Sequence, residues 1–271
     1  QAMARIYAWY NHEMIDRAPV RFAHHNALYD VVDTSGRTWP SLQARWFDTE
    51  YQIEKFEREL AHKAFLGETF PVFWPNLGPN VFAGMYGCHL EYGEVTSWAE
   101  PILDTYDRPL EMNWHSPYLA KLDEMTQAAL TRCAGRYLVG YTDLHPGMDW
   151  VAALRDTQQL CFDLFDEPEQ VQRLLQIVTR DFLQVYDHFD RQLKAHGQLS
   201  VTWMEIPSFG RMHIPSSDFS TMISAAQFRE FVFSALATET QAMTHNIFHM
   251  DGKGVARHLD MILELPTVQA I

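Results

Sequence analysis

The chain has 271 residues, 47% of them hydrophobic, which is enough to build the core of one large domain. Its formal net charge of −14 argues against nucleic acid and anionic membranes as partners, because both bind basic surfaces. Three widely separated cysteines without a Cys-x-x-Cys pair, and the absence of a membrane-spanning apolar run, predict a cytoplasmic protein without disulfides.

Apolar segments typical of strands alternate along the chain with segments of helical period. The predicted strands lie near residues 19–24, 69–74, 137–142, 199–205, 245–250 and 267–271. Strands that alternate with helices predict an α/β fold with parallel strands, adjacent in chain order. Six such units fit an incomplete (β/α)8 TIM barrel. The alternative is an open doubly wound sheet, but no glycine-rich phosphate loop follows the first strand.

One barrel domain is therefore expected over residues 1–271. The sequence opens without Met and stops in a segment typical of a strand start, so we expect a barrel that is truncated at its C-terminus. Residues 78–118 show no clear period, and we predict that they form a long excursion over one face. Two capping boxes, Asp166 with Glu169 and Ser224 with Gln227, predict helix starts.

Polar side chains follow the predicted strands on the face where barrel active sites are built. We expect one pocket to be surrounded by His24, Asn76, Asp143, His145, Trp203, Glu205, Asp218, His249 and Asp251. The alternative for each polar residue is a role in a loop or a cap, and for Trp203 a place in the core.

His249 and Asp251 are the strongest pair, because residues two apart at a strand end leave the same side of the pleat. They could share one metal ion or one group of a substrate. The alternative is a core histidine bonded to backbone and an aspartate that caps the next helix.

The order of four segments resembles that of the uroporphyrinogen decarboxylase superfamily. These segments are Pro19-Val-Arg-Phe-Ala-His-His-Asn-Ala-Leu-Tyr29, Asp166-Glu-Pro-Glu-Gln-Val171, Met222-Ile-Ser-Ala-Ala-Gln-Phe-Arg-Glu-Phe-Val232 and His249-Met-Asp-Gly252. The similarity covers most of residues 15–271. It implies a (β/α)8 barrel, and either a decarboxylase or a methyltransferase that moves methyl groups between corrinoids and thiols.

The departures from that family favour the methyltransferase branch. True decarboxylases carry a Met-Arg-Gln-Ala-Gly-Arg-Tyr motif, where this chain has His24 and Leu28 in place of the two arginines. Asn76 stands near the position of their pyrrole-binding aspartate. Because Leu28 cannot hold a carboxylate and an amide carries no charge, a porphyrinogen substrate is not expected.

The corrinoid methyltransferases carry a His-x-Cys pair of zinc ligands, where this chain has His249-Met-Asp251. The resemblance implies a site that could still bind Zn²⁺ through nitrogen and oxygen. It also implies a corrinoid protein or a thiol as the exchange partner.

The resulting hypothesis is an enzyme that transfers or removes a methyl group of a small methylated compound. His249, Asp251 and His24 would be catalytic, and Asn76, Asp143, His145, Glu205, Trp203 and Asp218 would bind substrate. The alternatives are a small-molecule-binding relative without catalysis, and a lyase that decarboxylates a non-porphyrin substrate. A homodimer is compatible with either class.

Overall fold

The computed structural model describes residues 1–25 and 36–271, with residues 23–25 described by their backbone alone. The helices are α1 Ala2–Tyr10, α2 Leu42–Trp46, α3 Thr49–Ala61, α4 Val81–Gly84, α5 Pro117–Cys133, α6 Met148–Arg155, α7 Thr157–Asp166, α8 Pro168–Ala195, α9 Ala225–Gln227, α10 Phe233–Gln241 and α11 Leu259–Leu263. Turns of 3-10 helix span Asp218–Met222 and Val255–His258, and a π-helical turn spans Phe228–Val232. The strands are β1 Arg21–His25, β2 Lys63–Gly67, β3 Val72–Phe73, β4 Leu90–Tyr92, β5 Ser97–Ala99, β6 Leu138–Val139, β7 Met212–His213, β8 His245–Ile247 and β9 Val268–Ala270.

Parallel strands follow one another in chain order and form the wall of the fold. β3 pairs with β6, and β7 pairs with β8, which pairs with β9, all in parallel. The segment 200–202 fills the gap between β6 and β7: Tyr141 N–H donates to the Val201 carbonyl over 3.0 Å, and Met212 N–H donates to Ser200 Oγ over 3.0 Å. The predicted α/β architecture with sequential parallel strands is confirmed in this part. No pairing between β9 and β3 closes a barrel within the described residues.

The predicted first strand is not part of this wall. β1 pairs with β2 in antiparallel register, with Arg21 opposite Gly67. β1 and β2 form a separate two-stranded antiparallel sheet, so the prediction of a parallel first strand was wrong. Alternation of apolar residues indicates a strand but not its partner. The side chain of His24 lies outside the described residues, as does Leu28.

The predicted strand 199–205 was also wrong in its extent. The chain turns back within it, since the Glu205 N–H donates to the Thr202 carbonyl over 2.8 Å and Glu205 adopts a left-handed φ of 57°. Ser200 and Ser208 then form a single antiparallel bridge. The next wall strand is β7, which the sequence pattern did not predict.

Helix α1 closes the end of the wall where the parallel strands begin. The Tyr10 ring stacks on the ring of His245, the first residue of β8, with centroids 3.9 Å apart. Ser208 Oγ lies 2.8 Å from His245 Nδ1, and burial lowers the pKa of His245. With this end packed, the opposite end, where the strands finish, is left to form a site.

Helix α8 is the longest described element, and its apolar face packs against the parallel strands. Val171, Val178, Phe182 and Val185 are fully buried at helical spacing. The predicted capping box at Asp166 was wrong, because Asp166 ends α7 and the first residue of α8 is Pro168. The box at Ser224 with Gln227 was confirmed, with both reciprocal hydrogen bonds formed.

Gly140 sits where β6 meets the segment 200–202, and an added side chain would collide there. A Cβ atom on Gly140 would lie 2.8 Å from the Val201 carbonyl oxygen, which is backbone and cannot rotate away. We expect Gly140→Ala to lower the free energy of unfolding by about 1–3 kcal/mol, the usual cost of overpacking. Urea denaturation measures this. Wild-type stability in the variant would contradict the placement of residues 200–202 against β6.

Candidate functional site

A cleft of about 490 Å³ opens at the ends of β6 and β7. Its lining includes Asn80, Trp98, His145, Asp149, Asp218 and Met222. His145 follows β6 and Asp218 follows β7, so this is the C-terminal end of the strands, the usual place for barrel active sites. A groove of similar volume lies outside the wall between α8 and the segment 230–238, but only helix surfaces line it.

A chain of three polar side chains holds His145 at the cleft. His145 Nε2 lies 2.7 Å from Asp143 Oδ2, and His145 Nδ1 lies 2.8 Å from Ser216 Oγ. Asp143 and His145 belong to the loop after β6, whereas Ser216 belongs to the loop after β7. The side chain of His145 is 15% exposed, so the imidazole is largely withdrawn from water.

The imidazole of His145 is held in its charged form. Burial lowers the pKa of His145, but the negative charges of Asp143, Asp149 and Asp218 and the hydrogen bond to Asp143 outweigh burial and raise it to about 9. Both ring N–H groups then donate, one to Asp143 and one to Ser216.

This charge state decides what the Asp143–His145–Ser216 chain can do. Its order resembles that of acyl-transfer triads, in which a neutral imidazole removes the serine proton. An imidazolium has no free nitrogen to accept that proton at neutral pH. With both ring nitrogens donating, the chain fixes one positive charge beside the cleft.

Asp149 connects the cleft to the loop after β7 by hydrogen bonds. Its carboxylate accepts hydrogen bonds from the backbone N–H groups of Asp218 over 3.0 Å and of Phe219 over 2.8 Å. Gly147, with a φ of 74°, allows the sharp turn that begins α6 and places Asp149 in its first turn. Burial raises the pKa of Asp149, while those two N–H groups and His145 oppose the rise.

Asp218 is the charge that connects the two halves of the candidate site. Burial raises the pKa of Asp218, as do the nearby charges of Asp149 and Asp251, while His145 and His249 act in the opposite direction. All four side chains must be close enough for their charges to act on one carboxylate. The residues predicted after β6, β7 and β8 therefore lie close enough to interact electrostatically, although His249 and Asp251 are not part of the cleft lining.

His249 lies just beyond the end of β8 and extends its pairing. Its N–H donates to the Pro215 carbonyl over 2.9 Å, and it forms a parallel bridge with Ser216. The Trp203 ring meets the imidazole edge-on, with centroids 4.9 Å apart, while the buried Trp203 Nε1 has no partner in the described structure. Asp251 is exposed in the turn that follows.

The ligand set for a zinc ion is incomplete in the described part of the chain. No group of three or more His, Cys, Asp or Glu side chains there is arranged to hold a metal ion. His249 and Asp251 alone are too few for Zn²⁺, which takes four ligands in structural sites and three protein ligands in catalytic ones.

Two other predicted residues are engaged away from the cleft. Asn76 Oδ1 accepts the Gly78 N–H over 2.8 Å and so stabilises a turn. Glu205 pairs with Arg21 of β1 over 2.9 Å, and burial raises the pKa of Glu205. Neither lines the cleft.

Sequence reasoning missed several residues at this site. Asp149, Ser216, Asn80, Trp98 and Met222 all line the cleft or contact a lining residue. The signal for Asp149 was its position four residues after His145, in the first turn of the following helix. Ser216 offered no comparable signal, because its proximity to His145 depends on the pairing of distant strands.

A second polar chain lies buried beneath the site. Tyr141 Oη is 3.1 Å from His213 Nδ1, and His213 Nε2 is 2.5 Å from Glu239 Oε1. Tyr141 precedes Asp143 by two residues, and His213 precedes Ser216 by three, so this chain fixes the two loops that carry the upper one. Burial raises the pKa of Tyr141 well above its ordinary value, which keeps its hydroxyl neutral.

Comparison with known proteins finds a likeness in fold. No known protein family matches the sequence. No curated protein matches it either. The structure is similar to that of a methyltransferase from Methanosarcina mazei, with a TM-score of 0.67 and 13% identity over 99% of this chain and 74% of that one. A solved structural neighbour is thus a methyltransferase, and at this identity the likeness concerns the fold. None of the described helices is long and apolar enough to cross a membrane.

Proposed function

We propose that this protein is a methyltransferase or demethylase that binds a small methylated compound in the cleft of His145, Asp149 and Asp218. The observation that carries the proposal is the placement of the charged Asp143–His145–Ser216 chain at the C-terminal ends of strands, in a fold shared with a methyltransferase. The methyl acceptor would be a thiol or a corrinoid bound to a partner protein.

Binding and orientation are what the described side chains offer to this reaction. Methyl transfer requires the attacking atom, the methyl carbon and the leaving atom to be in line, so rate depends on a rigidly held substrate. His145 is fixed by two hydrogen bonds, and Asp149 fixes the loop that carries Asp218. When bound to a partner protein, a corrinoid would supply the nucleophile that takes the methyl group.

A demethylation assay tests the proposal. The protein would be incubated with a panel of methylated amines, sulfonium compounds and methoxy compounds, with either a thiol or reduced free cobalamin as acceptor. Mass spectrometry would follow the demethylated product. We expect product to depend on the protein, and His145→Gln to slow it about tenfold or more, since small misplacements cost up to about 100-fold.

His115→Gln changes an exposed histidine that does not line the cleft and should leave the rate at the wild-type value. Tight binding of a compound without product from either acceptor would instead favour a small-molecule-binding protein. Loss of carbon dioxide from a carboxylated compound would favour the lyase alternative.

A further inference from the structure

The charge of the cleft restricts the chemical class of its ligand. Its lining carries the carboxyl groups of Asp149, Asp156 and Asp218, and the described residues contribute no lysine or arginine to it. Among the described lining residues the positive side chain is His145, which is offset by its hydrogen-bonded partner Asp143. An anionic ligand would meet net repulsion, because no guanidinium or ammonium group of the described residues lines the cleft.

Asp218 is the carboxylate that remains for a ligand. Asp149 accepts two backbone N–H groups, and Asp156 accepts those of Gln158 and Gln159 at the start of α7. Asp218 is exposed, and its carboxylate has no hydrogen bond or ion pair within the described part of the chain. A cation beside it would relieve its repulsion with Asp149 and Asp251.

An aromatic ring is presented to the same cleft. Trp98 lines it and is 56% exposed, and Met222, also in the lining, is 49% exposed. The indole packs against its own hairpin, since a Cβ atom on Gly93 would lie 2.9 Å from Trp98 Cζ3. A fixed exposed indole next to carboxylates is the combination that attracts cations to a ring face.

An organic cation fits these features better than a metal ion does. Described side chains that could ligate a metal do not gather in groups of three. Methyl groups on nitrogen or sulfur spread the positive charge and weaken hydration, so such a cation gains from an apolar wall as well as from a carboxylate. A neutral apolar ligand would gain nothing from Asp218.

We propose that the cleft binds a small methylated ammonium or sulfonium ion, with Asp218 as its counter-ion and Trp98 against its methyl groups. The identification of the methyl group as the group transferred rests on the proposed function; the binding claim does not. In the transfer, the bond between the methyl carbon and the charged nitrogen or sulfur breaks, and its electron pair stays on that atom. A thiolate that attacks the carbon becomes a methyl thioether, and the leaving group departs as a neutral amine or thioether.

This chemistry agrees with the state of His145. A neutral methoxy compound would leave an alkoxide that needs a proton, yet both N–H groups of His145 are donated to Asp143 and Ser216. When a methyl group is transferred from a methylated ammonium or sulfonium ion, the neutral amine or thioether leaves without taking up a proton. In this reaction the charged imidazole is not needed to transfer a proton. It would instead hold Asp143 and Ser216 in place through its two hydrogen bonds.

Isothermal titration calorimetry with a matched pair of probes tests the binding claim. Choline carries a trimethylammonium group, and 3,3-dimethylbutan-1-ol has the same shape with carbon in place of the charged nitrogen. We expect choline to bind at least about tenfold more tightly than the alcohol, since a ring and a carboxylate both act on the charge. Mg²⁺ should not displace choline.

Variants assign the two contacts. Asp218→Asn should weaken choline binding roughly tenfold without changing the affinity for the alcohol. Trp98→Leu keeps the wall apolar and should weaken choline binding roughly 3- to 30-fold. Asp260→Asn removes an exposed carboxylate on α11, outside the cleft, and should bind choline as wild type does.

Three results would overturn the proposal: equal affinity for the two probes, no binding of either probe or of trimethylsulfonium, or displacement of choline by Mg²⁺. The outcome also separates this inference from the proposed function. Demethylation of neutral methoxy compounds without cation binding would overturn the cation-binding proposal and support the methyltransferase proposal. Cation binding without methyl transfer to any acceptor would support the cation-binding proposal and overturn the methyltransferase proposal.

Discussion

Glu239→Ala is expected to lower the free energy of unfolding by about 3–5 kcal/mol, the usual cost of removing one member of a buried polar pair. Glu239 is 5% exposed and His213 is 1% exposed, and the bond between them is one of the shortest in the protein. Without the carboxylate, His213 Nε2 would stay buried with no partner, and Tyr141 would lose the fixed imidazole that it contacts. Chemical denaturation followed by circular dichroism measures the loss.

Two further variants show whether the lost partner or the lost volume is responsible. Glu239→Gln keeps an acceptor oxygen of the same shape and should recover part of the stability. Glu230→Ala, at an exposed position in the preceding π-helical turn, should stay within about 0.5 kcal/mol of wild type. If Glu239→Ala unfolds like Glu230→Ala, the Tyr141–His213–Glu239 chain does not stabilise the two loops.

The contribution of His145 to stability should disappear as the pH rises. The pKa of this imidazole is raised from 6.5 to about 9 in the folded protein, so folding favours its protonated form. The contribution is complete below about pH 6.5 and is lost as the pH rises through about 9, above which both the folded and the unfolded chain are neutral at this site. It amounts to roughly 3 kcal/mol.

The measurement compares wild type with His145→Gln at several pH values. The difference in unfolding free energy between them should be roughly 3 kcal/mol larger at pH 6 than above pH 9. Asp143→Asn should reduce this pH dependence, because it removes the nearest negative charge and keeps a hydrogen-bonding group. His115→Gln serves as the control. A difference that stays constant with pH would mean that His145 is not charged by its neighbours.

Local patterns were sufficient to predict part of the fold. β3, β6, β8 and β9 all lie within the predicted strands and run parallel in chain order. The box of Ser224 with Gln227 formed as predicted because its hydrogen bonds join residues three apart. The pairing of β1 with β2 was not predictable in this way, because alternation shows that a segment is extended and not which edge it joins.

The contacts of the candidate site also divide into those that local sequence predicts and those that depend on tertiary structure. The sequence by itself determined that Asp143 and His145 stand together, since they are two residues apart after one strand, and that His249 follows another strand end. Only the tertiary structure decided that Ser216, 71 residues from His145, completes that contact and that Asp149 holds the backbone of Asp218. Spacing along the chain sets the direction of neighbouring side chains, whereas the distance between two loops depends on how strands pair and helices pack across the whole core.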